Sequence, residues 1–340
     1  MTPLYFVNIY IIYCYQFIIK CILFRLDGEL ERRCEMRSKL FFIFIVIIGL
    51  CFWWGTKQYE ERVREQRELE RVAHLDVDDL DLAFIVNTVD ELGGGSLQLN
   101  WKELVALLGV IQNNYMYTVS YGALADTATH FIDGTTLLSF DEALDAYSFT
   151  EKQRELAHQY LTDLDYVGYV SKKLQPSAPE AQFINQLVEA AKANYFKSGI
   201  LPSITIAQAI LESNWGNSEL AQATYNLFGI KADANWEGPI ATFKTTEYSD
   251  LVIEDEFRKY DSWQQSIDDH VDFLMVNPRY QAAGVFSAKT YRTQAQALQD
   301  AGYSTVQDET GTPVYAKRLG ELIRQYNLQI FDHDVMSHSS

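Results

Sequence analysis

Cysteine is absent from most of this 340-residue chain, since all four cysteines (Cys14, Cys21, Cys34, Cys51) lie in its first 51 residues. The chain after residue 51 therefore has no disulfide and no thiolate metal site. Its six histidines are scattered and include no HExxH motif, so no pattern typical of a metal centre is present. The sequence predicts no metal and a fold held together by packing alone.

Positive charge is also scarce. The chain has 28 lysines and arginines against 46 aspartates and glutamates, which gives a formal net charge of -18. Nucleic acids and anionic lipid surfaces bind basic patches, and such an acidic protein repels them. We therefore expect no nucleic-acid partner.

One long apolar run lies near the N-terminus. Residues 40–54, LFFIFIVIIGLCFWW, follow a basic segment and end in two tryptophans. GTKQYEERVREQ comes next instead of a small-residue cleavage site, so residues 36–56 are predicted to be an uncleaved signal anchor. Because positive charges stay on the cytoplasmic side, everything after residue 56 is expected outside the cell membrane.

Residues 4–24 form a second apolar stretch, which Asn8, Gln16 and Lys20 interrupt. Two interpretations remain open for residues 1–35. Either they contain a further span, which makes the protein two-pass, or translation starts at Met36 and the anchor is single-pass. Both place the C-terminal part outside.

Residues 57–92 are predicted to form a charged stalk. They begin with KQYEERVREQRELERV, a run of good helix formers without a broad apolar stripe. The GGGS that follows, residues 93–96, is predicted to be a flexible break.

A small helical module is expected over residues 93–173. Asn100 can cap a helix whose apolar residues recur at helical spacing. Two capping boxes follow, one starting at Ser139 and ending at Glu142, the other formed by Thr150 with Gln153. The module has no recognisable catalytic constellation, so we expect a scaffold or a contact for a protein partner.

Two prolines in LQPSAPE, residues 174–180, mark the main predicted domain boundary. Ser177 and Glu180 fit another capping box, which predicts that a helix begins there. A second domain is expected over 174–330, followed by a tail at 331–340.

Glu212 is the first candidate for chemistry. Pro202 predicts the start of a helix and Gly216 its end, which places Glu212 in the last turn. There the negative end of the helix dipole disfavours the carboxylate, and the ring of Trp215 can exclude water. A raised pKa is expected for Glu212, as a general acid requires.

A hairpin is predicted after the turns NLFGIK and WEGP. PIATFKTTEYSD and VIEDEFRKYDSW carry the β-branched and aromatic residues typical of its two strands. Glu247 lies on the first strand, where it can face Glu212 across a cleft as a second carboxylate. The expected fold class is mainly α with a small β-hairpin lobe.

Six motifs follow one another in the second half of the chain: AQAILESNWGNSELA, NLFGIK, TTEYSD, FRKYDSWQQSIDDHVDFL, NPRY, and ALQDAGYSTV with PVYAKRL. In this order they resemble the glucosaminidases of glycoside hydrolase family 73, which are cell-wall autolysins, over residues 180–328. The resemblance implies a lysozyme-like catalytic domain that hydrolyses the β-1,4 bond after N-acetylglucosamine in peptidoglycan. It also implies no metal or organic cofactor.

By position, the resemblance makes Glu212 of ILESNWG the general acid and matches the family's second acidic residue to Glu247 of TTEY. It further implies a tyrosine near the end of the domain, either Tyr303 of AGYST or Tyr315 of VYAKRL. The VQDETGTP between these tyrosines is longer than the link the family leads us to expect, which leaves the choice open.

Further residues are expected to shape the cleft or to stack on sugar rings. They are Trp215, Asn226, Phe228, Trp236 and Tyr248. Phe228 fits packing in the core equally well.

The sequence thus predicts a membrane-anchored peptidoglycan hydrolase whose catalytic domain faces the cell wall of a Gram-positive bacterium and acts on glycan strands. Inverting, retaining and substrate-assisted routes all fit. Two alternatives remain. One is a non-catalytic wall-binding scaffold, against which the presence of both glutamates argues; the other is a lytic transglycosylase, which needs one acid and leaves an anhydro product.

Overall fold

The structure, a computed structural model, describes residues 28–165, 167–168, 175–247 and 251–337. Helices dominate these ranges, which confirms the mainly α class predicted from the sequence. The chain divides into an N-terminal segment that ends at Arg71 and a compact unit that begins at Val72.

Helix α1, Gly28–Val72, contains the predicted anchor. From Arg37 onward it is long and apolar enough to cross a bilayer, and none of its most apolar window is buried. Trp53 and Trp54 are both more than half exposed, at 61% and 63%. The helix is therefore a candidate membrane anchor by length and composition. The second apolar stretch, residues 4–24, lies outside the described residues.

The charged stalk ends at Val72, and not at residue 92 as predicted. Helix α2, Leu82–Leu92, follows, with Asp81 as its N-cap accepting from the Phe84 amide at 3.0 Å. Its apolar residues are buried in a core: Leu82, Ile85, Val86 and Val89. Because each of these residues has another three or four positions away, they form one face of an amphipathic helix, which a solvated stalk lacks.

The predicted flexible break at GGGS is an ordered turn. Gly94 and Gly95 have φ of 59° and 75°. The amides of Ser96 and Leu97 both donate to the carbonyl of Gly93, at 3.1 and 3.0 Å. A Cβ on Gly93 would lie 2.0 Å from the Leu97 oxygen. The glycines are needed for a tight turn and a close backbone approach, not for flexibility.

The first hydrophobic core of the unit lies between residues 75 and 167. Besides α2 it contains α3 (Trp101–Ile111), α4 (Tyr121–Ala128), the two-residue strands β1 (Ile132–Asp133) and β2 (Thr136–Leu137), α5 (Phe140–Asp145) and α6 (Glu151–Asp163). Asn100 caps α3 by accepting from the Lys102 amide. Both capping boxes predicted for α5 and α6 are present, at Ser139 and Thr150.

The second hydrophobic core lies between residues 183 and 328. Its helices are α7 (Pro179–Ser198), α8 (Pro202–Ser213), α9 (Glu219–Thr224), α10 (Trp263–Val276), α11 (Pro278–Ala282), α12 (Tyr291–Asp300) and α13 (Tyr315–Gln325). The capping box predicted at Ser177 does not form. Ala178 is the N-cap instead of Ser177, and it makes no side-chain hydrogen bond because alanine has no polar side-chain atom. Pro179 occupies the first helical position, where its missing N–H needs no partner.

Strands β3 (Ile240–Glu247) and β4 (Leu251–Arg258) form an antiparallel hairpin whose register runs from Ile240 opposite Arg258 to Glu247 opposite Leu251. The base of the hairpin is fixed to α10. Arg258 Nη1 donates to both carboxylate oxygens of Asp269, at 2.9 and 3.0 Å. The hydroxyl of Tyr260 donates to the same carboxylate at 2.7 Å.

A helix, α14 (Gln329–Ser337), replaces most of the predicted tail. Its Asp332 is fully buried and accepts from the amide and the hydroxyl of Ser203, at 2.8 and 2.6 Å. These bonds satisfy donors in the first turn of α8, which otherwise have no partner within the helix. The last helix of the described chain therefore packs at the start of α8, because a buried helix end needs an acceptor.

The other face of α14 meets the first core. Nδ1 of His333 lies 3.1 Å from the Gln98 carbonyl, and Nε2 lies 3.3 Å from Oε2 of Glu103. Just before α14, Asn327 accepts from Trp101 Nε1 at 3.1 Å and donates to the Val167 carbonyl at 2.9 Å. The boundary predicted at 174–180 thus separates two cores but not two independent units, since buried polar contacts join them.

The exchange of Asn327 tests how strongly the two cores depend on each other. Asn327→Ala leaves Trp101 Nε1 and the Val167 carbonyl unpaired. Alanine also tolerates the φ of 54° at this position less well than asparagine. We therefore expect the free energy of unfolding to fall by about 3 kcal/mol. Asn327→Gly tolerates this φ and should recover about 1 kcal/mol of that loss. The measurement is urea denaturation of the unit from Val72 onward, expressed without α1. Separate unfolding of the two cores in the wild type would contradict the expected coupling.

Candidate active site

Glu212 lies in the last turn of α8, which ends at Ser213, three residues before the predicted stop. The next three residues, Asn214, Trp215 and Gly216, all have left-handed φ, at 49°, 61° and 72°. Tryptophan rarely adopts this conformation, so the reversal is held by its surroundings. The Trp215 amide donates to the Ile210 carbonyl at 3.2 Å. The chain therefore turns sharply after Glu212 and leaves it at the end of the helix.

A chain of two hydrogen bonds ends at the carboxyl group of Glu212. The hydroxyl of Tyr315 donates to Oε1 of Glu212 at 3.0 Å. Nε2 of Gln208, one helical turn before Glu212, donates to the same hydroxyl oxygen at 3.0 Å. Gln208 and Tyr315 are buried, at 0% and 2% exposure. Two buried side chains thus hold one oxygen of Glu212 in place.

The pKa of Glu212 is raised, as predicted. Glu212 keeps an exposed surface, but protein atoms crowd its carboxyl group, and this loss of hydration raises the pKa. The hydrogen bond from Tyr315 lowers the pKa in part, since it favours the carboxylate. A carboxyl group that solvent can reach and that holds its proton to higher pH is suited to protonate an incoming group.

Tyr303 lies directly behind Tyr315. The two rings stack with centroids 5.3 Å apart, and the Tyr303 hydroxyl lies 3.2 Å from Nε2 of His270. His270 is fully buried, and burial lowers its pKa to about 3, so the imidazole is neutral. The structure brings both candidate tyrosines to the site, and Tyr315 is the one hydrogen-bonded to Glu212.

The long segment between these tyrosines closes on itself. Gln307 and Pro313 form an antiparallel bridge, and the Asp308 carboxylate accepts from the amides of Thr310 and Thr312 at 2.9 and 3.0 Å. The extra residues therefore form a self-contained loop and do not push Tyr303 and Tyr315 apart.

Asn226 and Phe228 lie inside the protein. Asn226 is 1% exposed, and its amide donates to the carbonyls of Ile230 and Arg258, both at 2.9 Å, while its oxygen accepts from two amides of the NLFG loop. Phe228 is 6% exposed and stacks on His270 at 3.8 Å. Asn226 therefore holds the loop, and its side chain has no polar atom left to bind a sugar. Phe228 packs in the core.

The two tryptophans are half-buried and make defined contacts. The ring of Trp215 meets Phe183 and Tyr326 edge-on, at 5.8 and 4.8 Å. Trp236 donates from Nε1 to the Pro239 carbonyl at 3.0 Å, and the Arg258 guanidinium lies 4.6 Å above its ring. These contacts fix both rings, and a sugar-binding role for either stays a prediction.

The hairpin tip carries the remaining candidates. Glu247 is the last residue of β3, and the structure describes its backbone alone. Tyr248 lies outside the described residues. The separation between the carboxyl groups of Glu212 and Glu247 therefore stays a prediction. Within the described ranges, no group of three or more His, Cys, Asp or Glu is placed to hold a metal ion.

Sequence reasoning missed Gln208 and His270. Gln208 was visible as the one amide side chain in the mostly apolar run ITIAQAIL, four residues before Glu212 and on the same helical face. His270 shares a buried face of α10 with Ile267, Val271 and Leu274, so the sequence pattern indicated an ordinary core histidine. Only the fold shows that each supports a tyrosine, because their partners lie 107 and 33 residues away in the chain.

Comparison with known proteins identifies the region that contains the site. A family model described as mannosyl-glycoprotein endo-beta-N-acetylglucosaminidase matches residues 188–328. Peptidoglycan hydrolase FlgJ of Escherichia coli (strain K12) is 39% identical over 150 residues, which cover 42% of this chain and 45% of FlgJ. Exo-glucosaminidase LytG of Bacillus subtilis (strain 168) is 37% identical over 169 residues, covering 48% of this chain and 57% of LytG. The chain thus spans about half the length of the curated relatives it matches.

Two solved structures match the same region. A C-terminally truncated glycoside hydrolase domain of Salmonella typhimurium FlgJ is 37% identical, with 44% of this chain and 97% of that domain covered and a TM-score of 0.37. The catalytic domain of the autolysin Auto from Listeria monocytogenes is 33% identical, with 54% and 99% covered and a TM-score of 0.41. Residues 188–328, which carry Glu212, Tyr303 and Tyr315, therefore belong to the glucosaminidases of glycoside hydrolase family 73.

Proposed function

We propose that this protein is a peptidoglycan hydrolase that cleaves the β-1,4 bond after N-acetylglucosamine, with Glu212 as its general acid. The observation that carries the proposal is the Glu212 carboxyl group, which has a raised pKa, is open to solvent and is held by Tyr315. Relatives of this region are named as a peptidoglycan hydrolase and an exo-glucosaminidase, which supports the substrate. Lactococcus lactis relatives, 37% identical over 171 residues, are named as probable N-acetylmuramidases, so the bond cleaved has to be determined from the products.

Protonated Glu212 gives its proton to the glycosidic oxygen while the C–O bond breaks, and positive charge develops at the anomeric carbon. The resulting carboxylate is stabilised by the Tyr315 hydroxyl, which already points at it. Water completes the hydrolysis by one of two routes. Either Glu247 activates the water for attack on the anomeric carbon, or the substrate's own 2-acetamido group attacks that carbon first and water then opens the intermediate. Arg258 and Asp269 support the Glu247 route, because they fix the base of the hairpin that carries this residue.

A lysozyme-like arrangement underlies this mechanism, with the acid at a helix end and the hairpin as the opposite wall of the cleft. Trp215, Trp236 and Tyr248 are the aromatic residues we assign to sugar contacts. Asn226 and Phe228 act indirectly by shaping the loop, since their side chains are buried.

The candidate anchor α1 sets where the enzyme works. We place residues after 56 outside a cell membrane, with one span in α1 and the catalytic region facing the cell wall. The helix continues for about 27 Å beyond Trp54, since each of its residues adds about 1.5 Å. Its polar part therefore serves as a spacer. The first core supports the second through buried contacts, and its role as a contact for a protein partner stays a prediction.

Glu212→Gln tests the general acid. The amide cannot donate the required proton, so release of fragments from purified peptidoglycan should fall by about 10²- to 10⁴-fold, while the fold is kept. Glu219→Gln, on the exposed first turn of α9, is the matched control and should retain activity. Mass spectrometry of the wild-type products should show N-acetylglucosamine at the reducing end. Anhydro products would identify a transglycosylase instead, and wall binding without any turnover would identify a scaffold.

The pH dependence of activity gives a second test. A general acid works while it is protonated, so kcat/KM should fall as the pH rises through the raised pKa of Glu212. Tyr315→Phe removes the hydrogen bond that lowers this pKa, and the alkaline limb should move to higher pH. Tyr303→Phe is the control, because Tyr303 makes no hydrogen bond with Glu212 within the described residues. A shift of the alkaline limb to lower pH in Tyr315→Phe would contradict the assignment.

A further inference from the structure

Gln208 is a fully buried amide on the helix that carries Glu212. Amide side chains are mostly exposed in proteins, so its burial calls for an explanation. Its Nε2 donates to the Tyr315 hydroxyl at 3.0 Å, and that hydroxyl donates to Oε1 of Glu212 at 3.0 Å. The amide thus acts on Glu212 only through the tyrosine.

The direction of these bonds follows from the number of protons. A tyrosine hydroxyl carries one hydrogen, and it can donate that hydrogen to a single neighbour. Because the Gln208 N–H occupies a lone pair of the hydroxyl oxygen, the hydroxyl hydrogen points at Oε1 of Glu212. Oε1 is then an acceptor, so when Glu212 is protonated its proton lies on Oε2. Within the described part of the chain, Oε2 makes no hydrogen bond and is free to face a substrate.

A rotated Gln208 amide would reverse this arrangement. Its carbonyl oxygen would accept from Tyr315, the hydroxyl would turn away from Glu212, and the Glu212 proton would be drawn to Tyr315. Burial disfavours the rotation. Among the described residues, Gln208 Oε1 and the second N–H of Nε2 have no partner, and the rotated form would leave both N–H donors unpaired instead of one donor and one acceptor. Unpaired buried donors are rarer than unpaired carbonyl oxygens.

We propose that Gln208 is a positioning residue that, through Tyr315, places the catalytic proton of Glu212 on Oε2. The inference rests on the proposed function. In the reaction the O–H bond at Oε2 breaks and the proton passes to the glycosidic oxygen. The electrons of the cleaved C–O bond stay with that oxygen, and the new carboxylate keeps the Tyr315 hydrogen bond at Oε1.

The test compares Gln208→Met, Tyr315→Phe and the double variant in the full chain in detergent micelles. Methionine has a similar shape and no N–H. Two quantities are measured: the dependence of kcat and KM on pH, and the pKa of Glu212 from a ¹³C NMR titration of labelled glutamates. The Glu212 resonance is assigned by its loss in Glu212→Gln. Thr205→Val, one turn earlier on α8, is the matched control, because its buried hydroxyl has no partner within the described chain.

Gln208→Met should weaken the bond from Tyr315 to the carboxylate. We expect the pKa of Glu212 to rise, the alkaline limb to move to higher pH, and kcat to fall roughly 3- to 10-fold with little change in KM, about the effect of one hydrogen bond. In the Tyr315→Phe background, Gln208→Met should cause no further shift of the pKa. Thr205→Val should leave the pKa of Glu212 unchanged.

The proposal is overturned if Gln208→Met leaves the Glu212 titration unchanged, or if its shift persists in the Tyr315→Phe background. Either result means that Gln208 acts by packing alone. If the wild-type chain cleaves no glycan, the proposed function is refuted. The NMR titration needs no turnover, so it still decides the role of Gln208 in that case.

Discussion

The burial of α8 is the constraint on which the rest of the unit depends. Ten of its twelve residues are buried, so both of its ends have to find hydrogen-bond partners inside the protein. At the start, Asp332 accepts from Ser203. At the end, three left-handed residues turn the chain away and leave Glu212 against Tyr315. The same burial that fixes the helix removes water from the Glu212 carboxyl group. The packing of α8 and the raised pKa of Glu212 therefore have the same cause.

The two cores serve this helix in different ways. The second core surrounds α8, whereas the first core holds the segment that supplies Asp332, through the contacts of Asn327 and His333. A region without recognisable chemistry can therefore matter for the candidate site by fixing the segment that caps α8. This connection gives the first core a structural role that requires no partner protein.

Most helix caps were predictable from the sequence because they depend on neighbouring residues, although the capping box predicted at Ser177 does not form. Contacts between distant residues were not predictable. The caps at Asn100, Ser139 and Thr150 are local patterns, and they were predicted correctly. The raised pKa of Glu212 was also predicted, although burial and not the helix end is its largest cause. The choice between Tyr303 and Tyr315 could not be made, because the partner of Glu212 lies 103 residues away. The stalk was extended too far, because its end was placed at the glycines that follow α2 although α2 itself has an apolar face.

The position of Asp332 in the chain has a consequence for the order of folding. It binds a residue 129 positions earlier, and contacts of such long range form late because a large loop has to close first. A chain synthesised from its N-terminus contains α8 well before Asp332, which caps the start of that helix. The start of α8 can reach its final hydrogen bonding only after α14 has been synthesised. Glu212 therefore reaches its final packing only when nearly all of the unit from Val72 onward has been synthesised.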